Sequence, residues 1–191
     1  MKSSIIGILA SLALAGLAGC EGNTQPSATR LLGYQVDAAR ERSIWLTRDG
    51  VQIHSAAARP VQIELPGWMY AGGPYCPPGI AIGPKGEVVI TSNVVSTLWR
   101  IDAETRAVTV HNLALDVDRE KDVGFAAVVY APEQGAFIAY SETQRSLWKI
   151  DASLSGARKV ATVDADRSRA AKARYTGCAD LARRLTQPSI D

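Results

Sequence analysis

The central part of the chain alternates short apolar runs with turn residues. From Leu31 to Val163, runs rich in Val, Ile, Leu, Trp and Thr are separated by Gly, Pro, Asn and Asp. Runs of this length with such punctuation are typical of β-strands and tight turns. A composition that favours helix begins only after Asp164, where Ala lies among Arg and Lys, and Thr176–Gly177 divides this tail into two short pieces. The pattern predicts a mainly β protein with a short helical tail.

The apolar runs also repeat. Leu98–Asp102 (LWRID) returns 49 residues later as Leu147–Asp151 (LWKID), and Gly86 and Gly135 differ by the same offset. A weaker copy precedes them across residues 34–53. Each copy is followed by one further strand-like run, at Val61–Leu65, Val108–Leu113 and Lys159–Val163. A period of about 40–50 residues with four strands per unit is typical of propeller blades. An unrelated meander with a chance Leu-Trp match is the alternative.

The repeated pattern, residues 31–163, resembles the blades of NHL-type and lactonase-type six-bladed propellers. The shared features are Pro-x-Gly-Ile-Ala at Pro77–Ala81, a glycine before an apolar strand, Thr91–Asn93, and the Leu-Trp-Arg-Ile-Asp run. Propellers have about four to eight blades, so about three four-stranded blades form an incomplete ring. An open arc leaves two unpaired sheet edges, which invite pairing with another chain. We therefore expect the chain to dimerise, to hide an edge under its tail, or to be a shortened relative of a longer propeller.

The first twenty residues have the form of a secretory signal. Lys2 precedes the uncharged apolar run Ile5–Leu17, which is too short to span a bilayer as a mature helix. Leu17–Cys20 (LAGC) resembles the lipobox of bacterial lipoproteins, which implies that Cys20 is acylated and becomes the first residue. Glu21 follows, where many inner-membrane lipoproteins have Asp, so the resemblance favours the outer membrane. An ordinary buried helix is the alternative.

These features divide the chain into four parts. The divisions are a lipoprotein signal peptide at 1–19, the acylated cysteine with a flexible polar tether at 20–30, a β-propeller-like repeat domain at 31–163, and a helical, basic tail at 164–191. The chain has 21 Lys and Arg against 19 Asp and Glu, whereas a nucleic-acid-binding surface normally needs a marked basic excess. We therefore expect no nucleic-acid partner, and membrane attachment through the lipid on Cys20.

Cys76 and Cys178 remain once Cys20 is acylated. In an oxidising periplasm, two thiols favour a structural disulfide. Free thiols and a redox or metal-binding pair are the alternatives, although neither cysteine has a CxxC partner or a nearby histidine in the sequence.

The strongest candidate for a site is a set of three aligned polar residues. The blade alignment puts Asp49, Asn93 and Glu142 at one equivalent point, where the second strand of each blade enters its turn. Such points lie around one rim of a propeller, so three oxygen ligands could converge on Ca²⁺ or another divalent ion. Ordinary turn residues are the alternative, and we predict no cofactor. The sequence carries no catalytic motif, and His54 and His111 lie isolated on predicted strands.

A second candidate is the loop before the second blade. Trp68, Tyr70 and Tyr75 lie with Met69 among several glycines, and together they could form a binding lip on the same rim. The alternative is that Trp68 and Tyr70 form the next strand and pack into the core.

These features favour a non-catalytic binding or scaffold module of the bacterial envelope. The module is lipid-anchored and faces the periplasm, and its partner is another envelope protein or a second copy that pairs through the open sheet edges. Two alternatives stay open. The resemblance to lactonase-type propellers implies a hydrolase that depends on a divalent metal, and the open arc also suits an accessory subunit of an envelope complex.

Overall fold

The computed structural model describes residues 31–116 and 123–172, together with residues 178, 182 and 183. The predicted signal peptide, Cys20, the tether and the division of the tail at Thr176–Gly177 lie outside the described residues. Described strands run from Leu31 to Thr162, and the α-helix α1 (Ala165–Lys172) follows them. No helix in this part of the chain has the length and apolar character needed to cross a membrane.

The described strands form three sheets, one for each predicted repeat. Blade 1 contains β1 (Leu31–Asp37), β2 (Arg42–Thr47), β3 (Gly50–Ser55) and β4 (Ala58–Ile63). Blade 2 contains β5 (Ile80–Ile82), β6 (Val88–Thr91), β7 (Thr97–Ile101) and β8 (Val108–Asn112). Blade 3 contains β9 (Ala114–Leu115), β10 (Ala127–Ala131), β11 (Ala136–Ser141), β12 (Ser146–Asp151) and β13 (Gly156–Thr162). In each blade four consecutive strands pair in chain order as an antiparallel meander. The predicted fold class, mainly β with three propeller-like blades and a short C-terminal helix, is confirmed.

The repeat in the sequence is also a repeat in strand pairing. Trp99 on β7 pairs with Ile90 on β6, and Trp148 on β12 pairs with Ala139 on β11. Both partners are also 49 residues apart, so the two tryptophans occupy the same place in their sheets. Their side chains are exposed by only 1% and 0%. Both indoles are therefore part of the core.

Blade 1 follows the same meander with a different arrangement of side chains. Its Trp45 lies on β2, the second strand, whereas Trp99 and Trp148 lie on third strands. Only Arg48 and Asp49 separate β2 from β3. This tighter turn explains why the first copy is the weakest in the sequence.

A two-residue strand that the sequence pattern did not predict completes blade 3. In β9, Ala114 lies opposite Gly156 and Leu115 lies opposite Ala157, and the pairing with β13 is parallel. Because β9 belongs to the segment between blades 2 and 3, it ties this connection to the outer strand of blade 3. Two residues are too few to show a period, which is why the strand was missed.

The blades stack face to face, with the apolar core between them. Ile44 and Trp99 belong to the cluster between blades 1 and 2, and Leu98 and Trp148 belong to the cluster between blades 2 and 3. Successive residues of a strand point to opposite faces, so Leu98 and Trp99 on β7 serve different neighbours. Blade 2 is therefore covered on both faces.

A third apolar cluster lies on the outer face of blade 3. Ile138 and Tyr140 on β11 pack there with Cys178 and Ala182 from the tail. The hydroxyl groups of Tyr140 and Ser168 are 2.7 Å apart and share a hydrogen bond. The tail thus occupies the side of blade 3 on which a fourth blade would stack. The two ends of the arc are therefore sheet faces, and the tail covers one of them. Within the described strands, β1 and β4 of blade 1 each pair on one side only, so unpaired strand edges are present as well.

Candidate functional site

The chain passes from blade 1 to blade 2 through residues 64–79, which contain no strand and are called the rim loop here. Trp68 meets Trp99 edge to face with ring centroids 5.1 Å apart, and its ring lies 5.6 Å from that of Tyr70. Trp68 and Tyr70 pack against the core between blades 1 and 2. They therefore reach the core, as one reading of the sequence expected, but from a loop rather than from a strand.

Arg48, which the sequence did not single out, fastens the aromatic part of the rim loop to blade 1. Its backbone carbonyl accepts a hydrogen bond from Nε1 of Trp68 at 3.1 Å, and its Nε donates to the Tyr70 hydroxyl at 3.1 Å. Its position in the β2–β3 turn, next to Asp49, was the available signal. Arg48 thus orients two of the three predicted lip residues.

Asn93 holds the middle of the rim loop. Its Oδ1 accepts a hydrogen bond from the N–H of Ala71 at 2.7 Å, and its Nδ2 donates to the carbonyls of Ala71 and Cys76 at 2.8 and 2.9 Å. The side chain is buried, with 8% exposure. A buried amide with this many backbone partners fixes a loop that has no sheet ladder of its own.

Glu142 holds the end of the same loop from blade 3. Its Oε2 accepts a hydrogen bond from the N–H of Cys76 at 2.6 Å. Ser92, which the sequence analysis did not select, adds a further anchor, since its hydroxyl donates to the carbonyl of Met69 at 2.7 Å. Asn93 and Glu142 therefore do meet at one segment of the chain, and Cys76 is the residue they share.

Oδ1 of Asn93 and Oε2 of Glu142, two of the oxygens that could serve the predicted cation, are engaged with backbone N–H groups. Asp49 is exposed in the β2–β3 turn, where its carbonyl accepts a hydrogen bond from Nε2 of Gln62 at 3.0 Å. Within the described ranges, no three His, Cys, Asp or Glu side chains are grouped so that they could hold a metal ion. The arrangement is suited to positioning a loop.

The predicted disulfide between Cys76 and Cys178 is present, with an S–S distance of 2.00 Å and Cα atoms 6.3 Å apart. It joins the rim loop to the tail that covers blade 3. The same loop carries Met69 and Tyr75, with exposed fractions of 54% and 51%. The rim loop therefore combines a fixed backbone with large exposed side chains.

Two carboxylates whose pKa values are lowered, Asp102 and Asp151, lie in turns within the blades. Burial opposes ionisation of Asp151, but hydrogen bonds from the Ser153 hydroxyl and from two further residues of the same turn outweigh it and lower the pKa of Asp151 to about 2. Asp102 is one repeat earlier, and hydrogen bonds led by the backbone N–H of Thr105 lower its pKa. Both residues shape the turn into the fourth strand.

The two histidines lie on strands, as predicted. His54 on β3 stacks with Trp45, with ring centroids 4.3 Å apart. His111 is on β8, where burial lowers its pKa and where its Nε2 is buried without a hydrogen-bond partner in the described part of the chain. Both histidines therefore belong to the sheets rather than to the rim loop.

Comparison with known proteins places the chain by fold. No family model and no curated protein matches it. A catalytically inactive variant of virginiamycin B lyase from Staphylococcus aureus, solved with quinupristin, is 12% identical over 71% of this chain and 42% of its own, with a TM-score of 0.51. The selenomethionine form of that lyase is 12% identical over 66% of this chain and 40% of its own, with a TM-score of 0.50. Glutaminyl cyclase from Myxococcus xanthus is 16% identical over 74% and 56%, with a TM-score of 0.47.

The likeness to the two lyase structures shows a propeller-type fold, and at such low identity it shows the fold alone. The chain spans about two fifths of the length of these two lyase structures.

Proposed function

We propose that this chain is a non-catalytic binding or scaffold module of the bacterial envelope, and that the rim loop is its binding surface. The observation that carries the proposal is that Arg48, Asn93 and Glu142 fix a strandless loop that leaves about half of the surface of two large residues, Met69 and Tyr75, exposed. An aromatic side chain on a fixed backbone loses little conformational entropy when it binds a partner.

The chemistry of the rim supports binding over catalysis. The polar groups at the aligned rim positions Asn93 and Glu142 are used to hold the loop, while the exposed groups are a thioether and a phenol ring. Surfaces that recognise other proteins are enriched in Tyr and Met at their centres. We therefore propose an apolar or aromatic patch on another envelope protein as the partner of the rim.

The proposed location rests on the signal-like segment that ends at Cys20. Acylation there anchors the module to a membrane, and Glu21 favours the outer membrane with the module facing the periplasm. Substituting Cys20→Ser in the host is expected to abolish palmitate labelling and to release the chain from the membrane fraction. Continued labelling would contradict the lipid anchor while leaving the role of the rim loop open to its own test.

Site-specific photo-cross-linking tests the rim. A photoreactive amino acid at position 75 of the full chain in its host is expected to give a discrete adduct with another envelope protein. Position 133 is the matched control, because Glu133 is exposed at the turn before β11, whereas Glu142 and the rim lie beyond the other end of that strand. Absence of any adduct at position 75, or the same adducts at both positions, would overturn the proposal.

The alternative function, a hydrolase that depends on a divalent metal, predicts a different effect of Ca²⁺ on the Tm. If Ca²⁺ bound at the rim, adding it to metal-free protein would raise the Tm, because a ligand that binds only the folded state stabilises it. The binding module predicts an unchanged Tm, since Asn93 and Glu142 are already engaged with the rim loop.

A further inference from the structure

One face of blade 1 carries an unusual concentration of exposed apolar side chains. The large apolar residues exposed there are Leu31 (38%), Tyr34 (61%), Val36 (62%) and Trp45 (39%). They share a face because Leu31 pairs with Thr47, Tyr34 with Trp45 and Val36 with Ser43, and directly paired residues of antiparallel strands point the same way. This surface is called the open face below.

The open face is the outer side of blade 1, whose inner side is buried against blade 2. Ile44 and Leu46 on β2 point to the core between blades 1 and 2, whereas Trp45 between them points outward. The corresponding outer face of blade 3 is covered by the tail, through Cys178 and Ala182. Blade 1 is thus the end of the described arc that keeps an apolar face towards solvent, and contiguous patches of this kind mark interaction surfaces.

The chemistry of the open face fits a neutral, partly aromatic surface. One row across the sheet is Tyr34, Trp45, Gln52 and Gln62, and the next is Val36, Ser43 and His54. Neither row contains Asp, Glu, Lys or Arg, so the two rows of one copy would meet those of a second copy without like-charge repulsion. A hollow of about 450 Å³ lies beside the protruding side chains. It is lined by Val36, Ser43 and His54 from the second row, and also by the charged residues Asp37, Glu41 and Arg42, of which Asp37 and Arg42 form an ion pair at 2.9 Å. Protruding side chains and a hollow on the same surface allow two copies to fit together, because each can insert its side chains into the hollow of the other.

Two other candidates for covering the open face fit less well. After the proposed cleavage before Cys20, the stretch that precedes the face, Glu21–Arg30, has Ala28 and Pro26 as its only apolar residues, so it offers little to bury against Tyr34 and Trp45. Head-to-tail stacking of blade 1 on blade 3 of another copy is blocked, because the tail is fastened over blade 3 by the Cys76–Cys178 disulfide. Of the contacts between the ends of two arcs, the one that remains joins the open face of both copies, which generates a closed twofold dimer.

We propose that the open face of blade 1 binds the open face of a second copy, so that two three-bladed arcs form a twofold dimer. The dimer needs neither the lipid nor a partner at the rim loop. It differs from the pairing expected from the sequence, which joined strand edges, because faces rather than edges end the arc.

Sedimentation equilibrium of the purified chain carrying Cys20→Ser, at micromolar concentrations, tests the proposal. The parent chain is expected to be a dimer. The double variant Tyr34→Glu/Val36→Glu is expected to raise the dimer dissociation constant by about 30-fold or more, the effect of losing an interface hot spot. Val110→Glu/Val160→Glu is the matched control, since both valines are 42% exposed on outer strands and the charge change is the same. This control is expected to stay dimeric.

Three results would overturn the proposal: a monomeric parent chain, a Tyr34→Glu/Val36→Glu variant that dimerises normally, or a control that dissociates as readily as that variant. A second measurement leaves residues 34 and 36 unchanged. A photo-cross-linker in place of Trp45 in the purified chain is expected to join blade 1 of one copy to blade 1 of the other. An adduct with blade 3 of the second copy, or no adduct between copies, would contradict the twofold contact.

Discussion

Trp99 and Trp148 show how single residues define the blades. Each lies on the third strand of its blade, and each meets an aromatic ring from the connection that precedes the blade. The partner of Trp99 is Trp68 at 5.1 Å, and the partner of Trp148 is Phe125 at 5.9 Å, both close to edge-to-face. Each tryptophan therefore packs its own strand against both the preceding connection and the neighbouring blade.

Replacing either buried tryptophan by alanine is expected to lower the free energy of unfolding by about 3–5 kcal/mol, because it opens a large cavity between two blades. Val110→Ala is the control, since Val110 is 42% exposed on the outer strand of blade 2 and lies outside the open face, and its loss is expected to be smaller. Urea unfolding followed by circular dichroism gives the three values. A loss in Val110→Ala equal to that in Trp148→Ala would show that burial between blades is not the cause.

The lowered pKa of Asp151 makes the stability of the folded chain depend on pH in the acid range. The pKa of about 2 lies below the value near 3.9 of an unfolded aspartate. The ionised form therefore stabilises the folded chain above about pH 4, and this contribution is lost as the pH falls towards 2. In Asp151→Asn, the free energy of unfolding is expected to fall less steeply over this interval than in the parent chain. Chemical denaturation at a series of pH values tests this, and equal slopes in the two proteins would contradict it.

At the scale of elements, the rim loop is an irregular segment held by side chains from the turns around it. Arg48, Ser92, Asn93 and Glu142 come from all three blades and each bonds the loop. Such a loop keeps its shape because its buried backbone groups find partners outside regular structure.

Asn93→Ala is expected to lower the free energy of unfolding by about 2–4 kcal/mol, because it leaves the buried carbonyl of Cys76 and the part-buried N–H and carbonyl of Ala71 without their partner. The amide of Ala71 is expected to exchange faster with deuterium. Asp49→Ala, at an exposed position of the aligned set, is the control and is expected to leave that amide unchanged. If the exchange of Ala71 were the same in Asn93→Ala as in the parent chain, Asn93 would not be the anchor of the loop.

The sequence predicted those elements whose residues repeat. Blades 2 and 3 follow from the 49-residue offset, and their turns share Gly86 and Gly135, with φ of 80° and 56° that glycine adopts easily. Blade 1 was recognised only weakly, because its β2–β3 turn is tighter and because the equivalent left-handed turn residue is Glu41 rather than glycine, with φ of 49°. The short strand β9 and the contacts of the rim loop were not predictable, since they depend on residues far apart in the chain rather than on local period.

The sequence predicted several residues of the candidate site, but it did not predict the hydrogen bonds that they make. Alignment of the blades selected Asn93 and Glu142, which do act on one segment, and composition selected Trp68 and Tyr70. What these side chains bond depends on where the rim loop passes, which no local pattern encodes. Arg48 and Ser92 were missed for the same reason, although each is the neighbour of an aligned residue.

At the scale of the whole molecule, the two ends of the arc differ. The Cys76–Cys178 disulfide closes a loop with a sequence separation of 102 and fastens the tail over blade 3, whereas the open face of blade 1 is left to solvent. In the chain-entropy model a loop of this length contributes about 4–5 kcal/mol. One bond thus supports both the position of the rim loop and the cover of the last blade.

Hydroxyl-radical footprinting of Tyr140 tests this account most directly, because Tyr140 is 0% exposed under the tail. In the parent chain Tyr140 is expected to be protected from oxidation. In Cys178→Ser it is expected to become oxidised as the tail is released, while Trp99, between blades 1 and 2, stays protected in both proteins. Equal oxidation of Tyr140 in the two proteins, with Trp99 protected, would contradict a tail fastened over blade 3 by the disulfide.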